Sequence, residues 1–363
     1  MTFLIAPPIE PMLAKLAREF PDIEGLSFEP KWDGFRCLVF RDRDELYLQS
    51  RNAKPLLRYF PELVEPLRAA LPEHCVVDGE LVVVGESGLD FDALQLRQHP
   101  ADSRVQRLAR EIPATYVAFD LLAVDDRAHL EAPFADRRAA LVERVAAGSS
   151  VQVTPATLDA AMGRDWFDRF EGAGFDGVIA KPVAGGYEPG KRSLIKVKHE
   201  RTCDCVIAGY RVHKDGAGVG SLLLGLHDDE GRLHHVGVAS SLDAPTRAQL
   251  LMTLDPLRVG ALEAHPWREW AEFARPEPRR GDGVAPDQRM PGGFSRWNAT
   301  KDLSWEPLRL ELVAEVAYEG LMGGRFRHNA RLRRLRDDRD PTSCRYSQLA
   351  VVAPAELRAL LEP

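Results

Sequence analysis

The 363-residue chain is predicted to fold as an α+β domain followed by a small β-barrel. Three observations lead there. Up to about residue 200, short apolar strand runs are interspersed with helix-length amphipathic stretches. After Lys198 the texture changes to closely spaced strands, parted by Gly-rich or acidic turns and joined by one helix. Composition is ordinary for a globular chain, 45% hydrophobic and 28% charged, which excludes a mostly disordered protein. The expected domains are residues 1–199 and 200–363.

Each element rests on a local pattern. Residues 28–48 hold the apolar runs FRCLVF and LYLQS between turn dipeptides, so they read as strands. FPELVEPLRAAL at 60–71 reads as a helix. CVVDGELVVV at 75–84 reads as two strands around Asp78-Gly79, because Asp-Gly between apolar runs is a hairpin signal. ATYVAFDLLAV at 114–124 is a buried strand, while 135–147 and 156–171 read as helices. FDGVIAK and SLIKVK are short strands. Beyond them CDCVIAGYRV, GSLLLGLHDD and RLHHVGVAS are strands, RAQLLMTLDPL a helix, and LRLELVAEVAYEGL at 308–321 a late strand region. Residues 276–293, with four Pro and four Gly, read as a long loop, and APAELRALLEP as a closing helix.

No apolar run reaches 18 residues, so a membrane partner is not expected. The first residues, MTFLIAPPIEPMLA, lack a basic region and are broken by prolines, so no signal peptide is expected. Five sparse cysteines with no C-x-x-C pair point to a reduced, cytoplasmic protein without a zinc knuckle.

Net charge is -7, and residues 1–200 carry all of it, with 25 Lys+Arg against 32 Asp+Glu. Residues 201–363 balance at 23 against 23, yet 321–346 hold eight Arg and three Asp. Charge fields are screened beyond roughly 8 Å, so such a strip can bind phosphate on an acidic protein. A solvated Arg-rich face fits the same charges. Only nine of the 48 basic residues are Lys, and four of the nine fall within 181–198. Arginine cannot lose its proton in a protein, whereas a desolvated lysine can serve as a nucleophile. The composition therefore directs attention to Lys31 and to Lys181, Lys191, Lys196 and Lys198.

Lys31-Trp32-Asp33-Gly34-Phe35-Arg36 is the sharpest local pattern. A surface hairpin would explain it. So would attack on phosphorus, with Lys31 as the amine, Gly34 admitting a nucleotide and Arg36 holding ribose or phosphate. Lys196 and Lys198 are two apart, so on a strand both face one way, ready for a leaving pyrophosphate. Asp33, Glu80, Asp120 and Asp176 supply carboxylates for a hard divalent cation.

Taken in order, these segments resemble the ATP-dependent DNA ligases, nearest the minimal bacterial C-type repair ligases and the ligase module of the D-type. The resemblance spans about residues 7 to 341 and rests on EPKWDGFR, SRNAKPL, VVDGELV, YVAFDLL, FDGVIAKP, YEPGKRSLIKVK and GRFRHNARLRRLRDDRDP. It implies an adenylation (nucleotidyltransferase) domain of antiparallel sheets and helices, followed by an OB-fold barrel. It implies that Lys31 becomes adenylylated. Glu29, Arg36, Arg51, Glu80, Lys181, Lys196 and Lys198 would surround the nucleotide, and Phe119 would stack on adenine. Asp33, Glu80 and Asp176 would hold Mg²⁺ or Mn²⁺, and Arg325, Arg327, Arg331, Arg336, Asp338 and Arg339 would form the basic C-terminal motif. Asp176 stands where the family usually has Glu, and Arg339 where it usually has Lys.

ATP is the implied AMP donor and nicked duplex DNA the implied partner, in DNA repair. A monomer in the bacterial cytosol, nucleoid-associated on DNA, is expected, working beside a separate repair polymerase. Two other readings share features with it: an RNA ligase or capping-type guanylyltransferase, and an inert nicked-duplex binder. Lys31, Lys196 and Lys198, kept in a lysine-poor chain, argue against the inert binder.

Overall fold

The computed structural model describes residues 3–85, 88–170, 175–198, 200–273 and 304–349. The loop expected at 276–293 and the helix expected over 353–363 lie outside the described residues. Backbone contacts divide the chain into two units after residue 199.

The first unit has strands β1 (Ala14–Ala17), β2 (Leu26–Pro30), β3 (Phe35–Asp42), β4 (Glu45–Ser50), β5 (His74–Val82), β6 (Thr115–Val124), β7 (Val151–Val153), β8 (Val178–Pro182) and β9 (Leu194–Val197). Its helices are α1 (Val64–Ala70), α2 (Phe91–Leu96), α3 (Asp102–Glu111), α4 (Phe134–Arg144) and α5 (Ala160–Phe170). One sheet runs β1-β9-β8-β2 and the other β7-β6-β5-β3-β4. Most pairs are antiparallel, while the outer pairs β1–β9 and β7–β6 are parallel.

The two sheets pack face to face. Leu38, Phe40, Val76 and Leu122 of the second sheet share one core cluster with Leu194 and Ile179 of the first. The far face of the second sheet buries Cys37, Val39, Leu48 and Val77 against Leu67 of α1 and Leu141 of α4. On α4 the buried residues are Phe134, Arg137 and Leu141, one face at helical spacing. The outer face of the first sheet buries Phe28, Val178 and Ala180 against Trp166 and Phe167 of α5.

Asp78-Gly79 is not a turn, as expected from the sequence, but lies within β5. The register with β6 shifts between these two residues, so the dipeptide marks a bulge. Asp78 is fully buried and takes both nitrogens of the Arg36 fork, which satisfies a carboxylate that a turn would have left in water. The helix expected over 60–71 is α-helical only from Val64 and is preceded by two 3₁₀ turns, Leu57–Tyr59 and Pro61–Leu63. Pro61 and Pro66 lack the amide hydrogens an earlier helical ladder needs. The sequence reading also omits β1, β7, α2 and α3.

The second unit holds β10 (Arg201–Val212), β11 (Val219–His227), β12 (Leu233–Ala239), α6 (Ala244–Leu254), β13 (Val313–Tyr318) and β14 (Arg331–Arg336). Of the strand region expected over 308–321, Val313–Tyr318 forms β13, and Leu321 begins a separate two-residue strand. The sheet order is β12-β11-β10-β13-β14, all antiparallel. The two outer strands meet through one parallel bridge, Ala239 to Ala330, not through a full ladder. One core fills the unit, with Trp267, Trp270 and Trp305 packed on the strands. Among the described residues no helix is long and apolar enough to cross a membrane.

All five cysteines are buried and unbridged. His235 is also buried, neither ring nitrogen has a partner, and burial beside Arg325 and Arg211 pushes its pKa down to about 3. The unfolded chain therefore takes up a proton between about pH 6.5 and 3 that the fold refuses, so stability falls as pH falls through that window. At pH 4 this amounts to roughly 3 kcal/mol. Urea midpoints of wild type and His235→Leu at pH 7 and pH 4 should differ in their acid sensitivity by that order. Equal acid sensitivity would contradict it.

Candidate active site

Lys31 follows the last residue of β2, and two backbone bonds fasten it to the segment before β8. Its N–H donates to the Gly177 carbonyl at 2.8 Å, and the Asp176 N–H donates to the Lys31 carbonyl at 3.0 Å. Gly177 has φ +112°, and a Cβ there would strike the Val197 carbonyl of β9. Only glycine allows that approach. The side chains then face each other: Lys31 Nζ lies 2.7 Å from Asp176 Oδ2, and Lys198 Nζ lies 2.7 Å from the same oxygen. Burial pulls the Lys31 ammonium down, but Asp176, Glu80 and Asp33 together outweigh it, and the pKa is raised. The Asp176 carboxyl is lowered, with burial opposed by Lys31 and Lys198. In this state Lys31 is a cation. Its neutral, nucleophilic form requires that the pair with Asp176 be broken.

Trp32 fixes the same loop from the other side. Its indole N–H donates to Thr154 Oγ1 at 2.8 Å, and its ring packs on Phe175 at 4.8 Å. The Thr154 N–H in turn donates to the Ala118 carbonyl at 2.9 Å, next to Phe119. Gly34 has a structural reason of its own, besides the nucleotide access expected from the sequence. A Cβ there would strike the Leu81 carbonyl and Glu80 of β5. The close approach of this segment to β5 needs glycine.

Register places a second group on one face of the first sheet. Ile179 pairs with Glu29 on one side and with Lys196 on the other, and Lys181 lies two residues on. Lys181 Nζ is 2.8 Å from Glu29 Oε2, both side chains 3% exposed, and donates to the Phe119 carbonyl at 2.9 Å. It also sits 4.7 Å from the Phe119 ring centroid. Glu29 Oε1 is buried with no partner. Burial pushes the Glu29 carboxyl up, against the pull of Lys181 and Arg138.

Arg36 is turned toward the protein. It grips Asp78 through Nε at 2.6 Å and Nη2 at 2.5 Å, and its guanidinium carbon lies 4.5 Å from the Phe119 centroid. Tyr187 completes the knot by donating to Asp78 Oδ2 at 2.6 Å. Asp120 is taken up in a buried fork with Arg137, at 2.8 and 3.1 Å, so it belongs to the core rather than to the carboxylate set. Burial pushes the Glu80 carboxyl up to about 7, against Arg36 and Lys31. Arg51 is exposed in the turn after β4, and among the described residues no ion pair ties it to the Lys31 cluster.

No three metal-ligating side chains converge among the described residues. Asp176, which pairs with Lys31, and Glu80 and Asp33, which act on it electrostatically, are hard oxygen donors. Mg²⁺ in polyphosphate chemistry takes one or two carboxylates and completes its shell from phosphates and water. One or two such carboxylates are the kind of protein ligand this ion takes beside a polyphosphate.

In the second unit the arginine strip is laced with carboxylates. Glu200 pairs with Arg331 at 2.6 Å and with Arg333; Arg334 pairs with Glu315 at 2.7 Å. Arg336 holds Asp338 at 2.7 Å and pushes its carboxyl down to about 2, while Arg339 Nε reaches Asp204 at 3.1 Å. Arg325 lies in a short strand, and the Arg327 N–H donates to the Gly320 carbonyl at 2.9 Å. Exposed pairs of this kind contribute about 0–1 kcal/mol each, so a phosphate can displace the carboxylates at small cost.

Sequence reasoning missed Asp78, Thr154 and Arg138. The Arg137-Arg138 pair in a helix with a buried face was the available signal for the last.

A lysine–carboxylate centre in a two-sheet domain, joined to a unit built on an antiparallel sheet, defines a nucleotidyltransferase with an OB-fold domain. The chain belongs to the ATP-dependent DNA ligase family: the model described as ATP dependent DNA ligase domain matches residues 11–198, and that described as ATP dependent DNA ligase C terminal region matches 215–339. It is 50% identical to DNA ligase C of Mycobacterium tuberculosis over 357 residues, 96% of each chain. It is 51% identical to DNA ligase C2 of Mycolicibacterium smegmatis over 351 residues, again 96% of each. A solved Lig E DNA ligase, described as binding DNA with a minimal scaffold, shares the fold at TM-score 0.51 and 16% identity, over 90% of this chain and 99% of that one.

Proposed function

We propose that this ligase seals 5′-phosphate/3′-OH nicks in duplex DNA during repair, with Lys31 as the residue that carries AMP. The observation that supports this most is the Lys31 side chain held at 2.7 Å by Asp176, whose same oxygen also takes Lys198. Lys31 Nζ attacks the α-phosphorus of ATP, the N–P bond forms, and pyrophosphate leaves with the electron pair of the broken P–O bond. The AMP then passes to the 5′-phosphate at the nick. Attack by the 3′-OH releases AMP and closes the strand.

The protein's part is positioning and charge neutralisation. Phe119 presents a face for adenine, and Glu29 Oε1 is an acceptor suited to its amino group. Lys181, Lys196 and Lys198 offset phosphate charge, with Arg36 and Arg51 at the ribose and nick phosphate. Mg²⁺ or Mn²⁺ at Asp33, Glu80 and Asp176 would neutralise the polyphosphate and draw Asp176 from Lys31. Arg325, Arg327, Arg331, Arg336 and Arg339 of the proposed OB-fold domain, residues 200–363, contact the polyphosphate or DNA once carboxylates such as Asp338 yield. We further propose a cytoplasmic monomer working beside a separate repair polymerase.

Phe119→Ala should weaken ATP binding by about 1–3 kcal/mol of lost base stacking. Unchanged nucleotide affinity would return Phe119 to the core. A nicked DNA duplex compared with a nicked RNA duplex tests the substrate: sealing confined to RNA would overturn the DNA reading.

A further inference from the structure

Two buried atoms near the Phe119 backbone lack a partner. One is the acceptor Glu29 Oε1 and the other is the donor Arg138 Nη1. Arg138 lies on α4, and its Nη2 is fixed to the Thr154 carbonyl at 2.5 Å. Thr154 is the residue that also receives the Trp32 indole and is bonded to Ala118. The two charged groups act on each other electrostatically, yet no ion pair joins them among the described residues. An orphaned donor and an orphaned acceptor that act on each other electrostatically each carry a desolvation cost of about 1–3 kcal/mol. A ligand that donates to one and accepts from the other removes both.

We infer that Arg138 is a specificity-determining residue that reads the adenine ring edge beside Glu29. Adenine offers an amino donor next to a ring-nitrogen acceptor, N1 on one side and N7 on the other. The amino group answers Glu29 Oε1, and the ring nitrogen answers Arg138 Nη1. Guanine carries a carbonyl where adenine has its amino group and would set that oxygen against the Glu29 carboxylate. Glu29 alone reads only the amino group. Arg138 adds the ring nitrogen, so the pair requires both groups in one orientation. This inference rests on the proposed nucleotide site and deepens it.

The test is lysyl-AMP formation by the full chain with ATP, 1-deaza-ATP and 7-deaza-ATP, in wild type and Arg138→Met. Wild type should lose tenfold or more in kcat/KM with one of the two analogues, the worth of a hydrogen bond to a charged group. Arg138→Met should lose a similar factor with ATP, carried by KM, and lose little more with that analogue. A variant-to-wild-type ratio that is the same on ATP and on both analogues would overturn the inference, as would a wild type indifferent to both. The first of these is also what a bridging buried water would give. Should Arg138→Met not fold, Arg138→Lys keeps the buried charge and carries the same comparison. Failure here leaves AMP on Lys31 in every arm, whereas failure of the site reading leaves wild type without an adduct at Lys31.

Discussion

Lys31→Arg should form no lysyl-AMP, although it keeps the positive charge and can keep the pair with Asp176. The wild-type ammonium is held within 2.7 Å of Asp176 and has a raised pKa, so the amine must be freed before it attacks. A guanidinium, with a pKa above about 12, offers no neutral amine to free. The expected loss is on the order of 10⁴ or more in adenylylation, the scale seen when a nucleophile is removed. Sealing of a nick supplied already adenylylated at its 5′ end needs no lysine nucleophile and should survive in part. Residual lysyl-AMP in Lys31→Arg, measured with labelled ATP, would remove Lys31 from the centre of the account.

The second large effect concerns stability. Lys181→Met would strand the Glu29 carboxylate, which is 2% exposed, without its 2.8 Å counter-ion. Breaking one side of a buried pair costs about 3–5 kcal/mol. For a unit of this size that corresponds to a fall in Tm of roughly 6–20 °C. Replacing both partners, Glu29→Leu with Lys181→Met, should recover much of the loss, because no buried charge is then left alone. Calorimetry of the three variants distinguishes the outcomes. A Tm for Lys181→Met within about 2 °C of wild type would mean that Glu29 finds another partner.

Much of this arrangement is legible in the residues. The alternating apolar runs place most strands, and the scarcity of lysine points to Lys31, Lys198 and Lys181. Long-range pairing is not legible. Asp78-Gly79 has the local signature of a turn, and only the arrival of Arg36 from β3 and Tyr187 from the β8–β9 connection explains a buried Asp within β5. Asp120 looks like a member of the carboxylate set until α4 brings Arg137 to it. Arg138 is one of 39 arginines in the chain, and its pairing with Arg137 on a half-buried helix is a weak mark until the fold brings the Glu29 charge to act on it. The strip around β14 reads as bare positive charge, because Glu200, Asp204 and Glu315 come from distant segments. Charge patterns along a chain report composition, and partners across strands decide what that charge can do.

The most direct test of the central claim is to incubate the protein with labelled ATP and Mg²⁺, locate the covalent AMP by peptide mass mapping, and then add unlabelled nicked duplex DNA. The account predicts AMP on the peptide containing Lys31, acid-labile as a phosphoramidate, and discharged as the nick is sealed. AMP on another residue, or sealing that proceeds undiminished in Lys31→Ala, would contradict it.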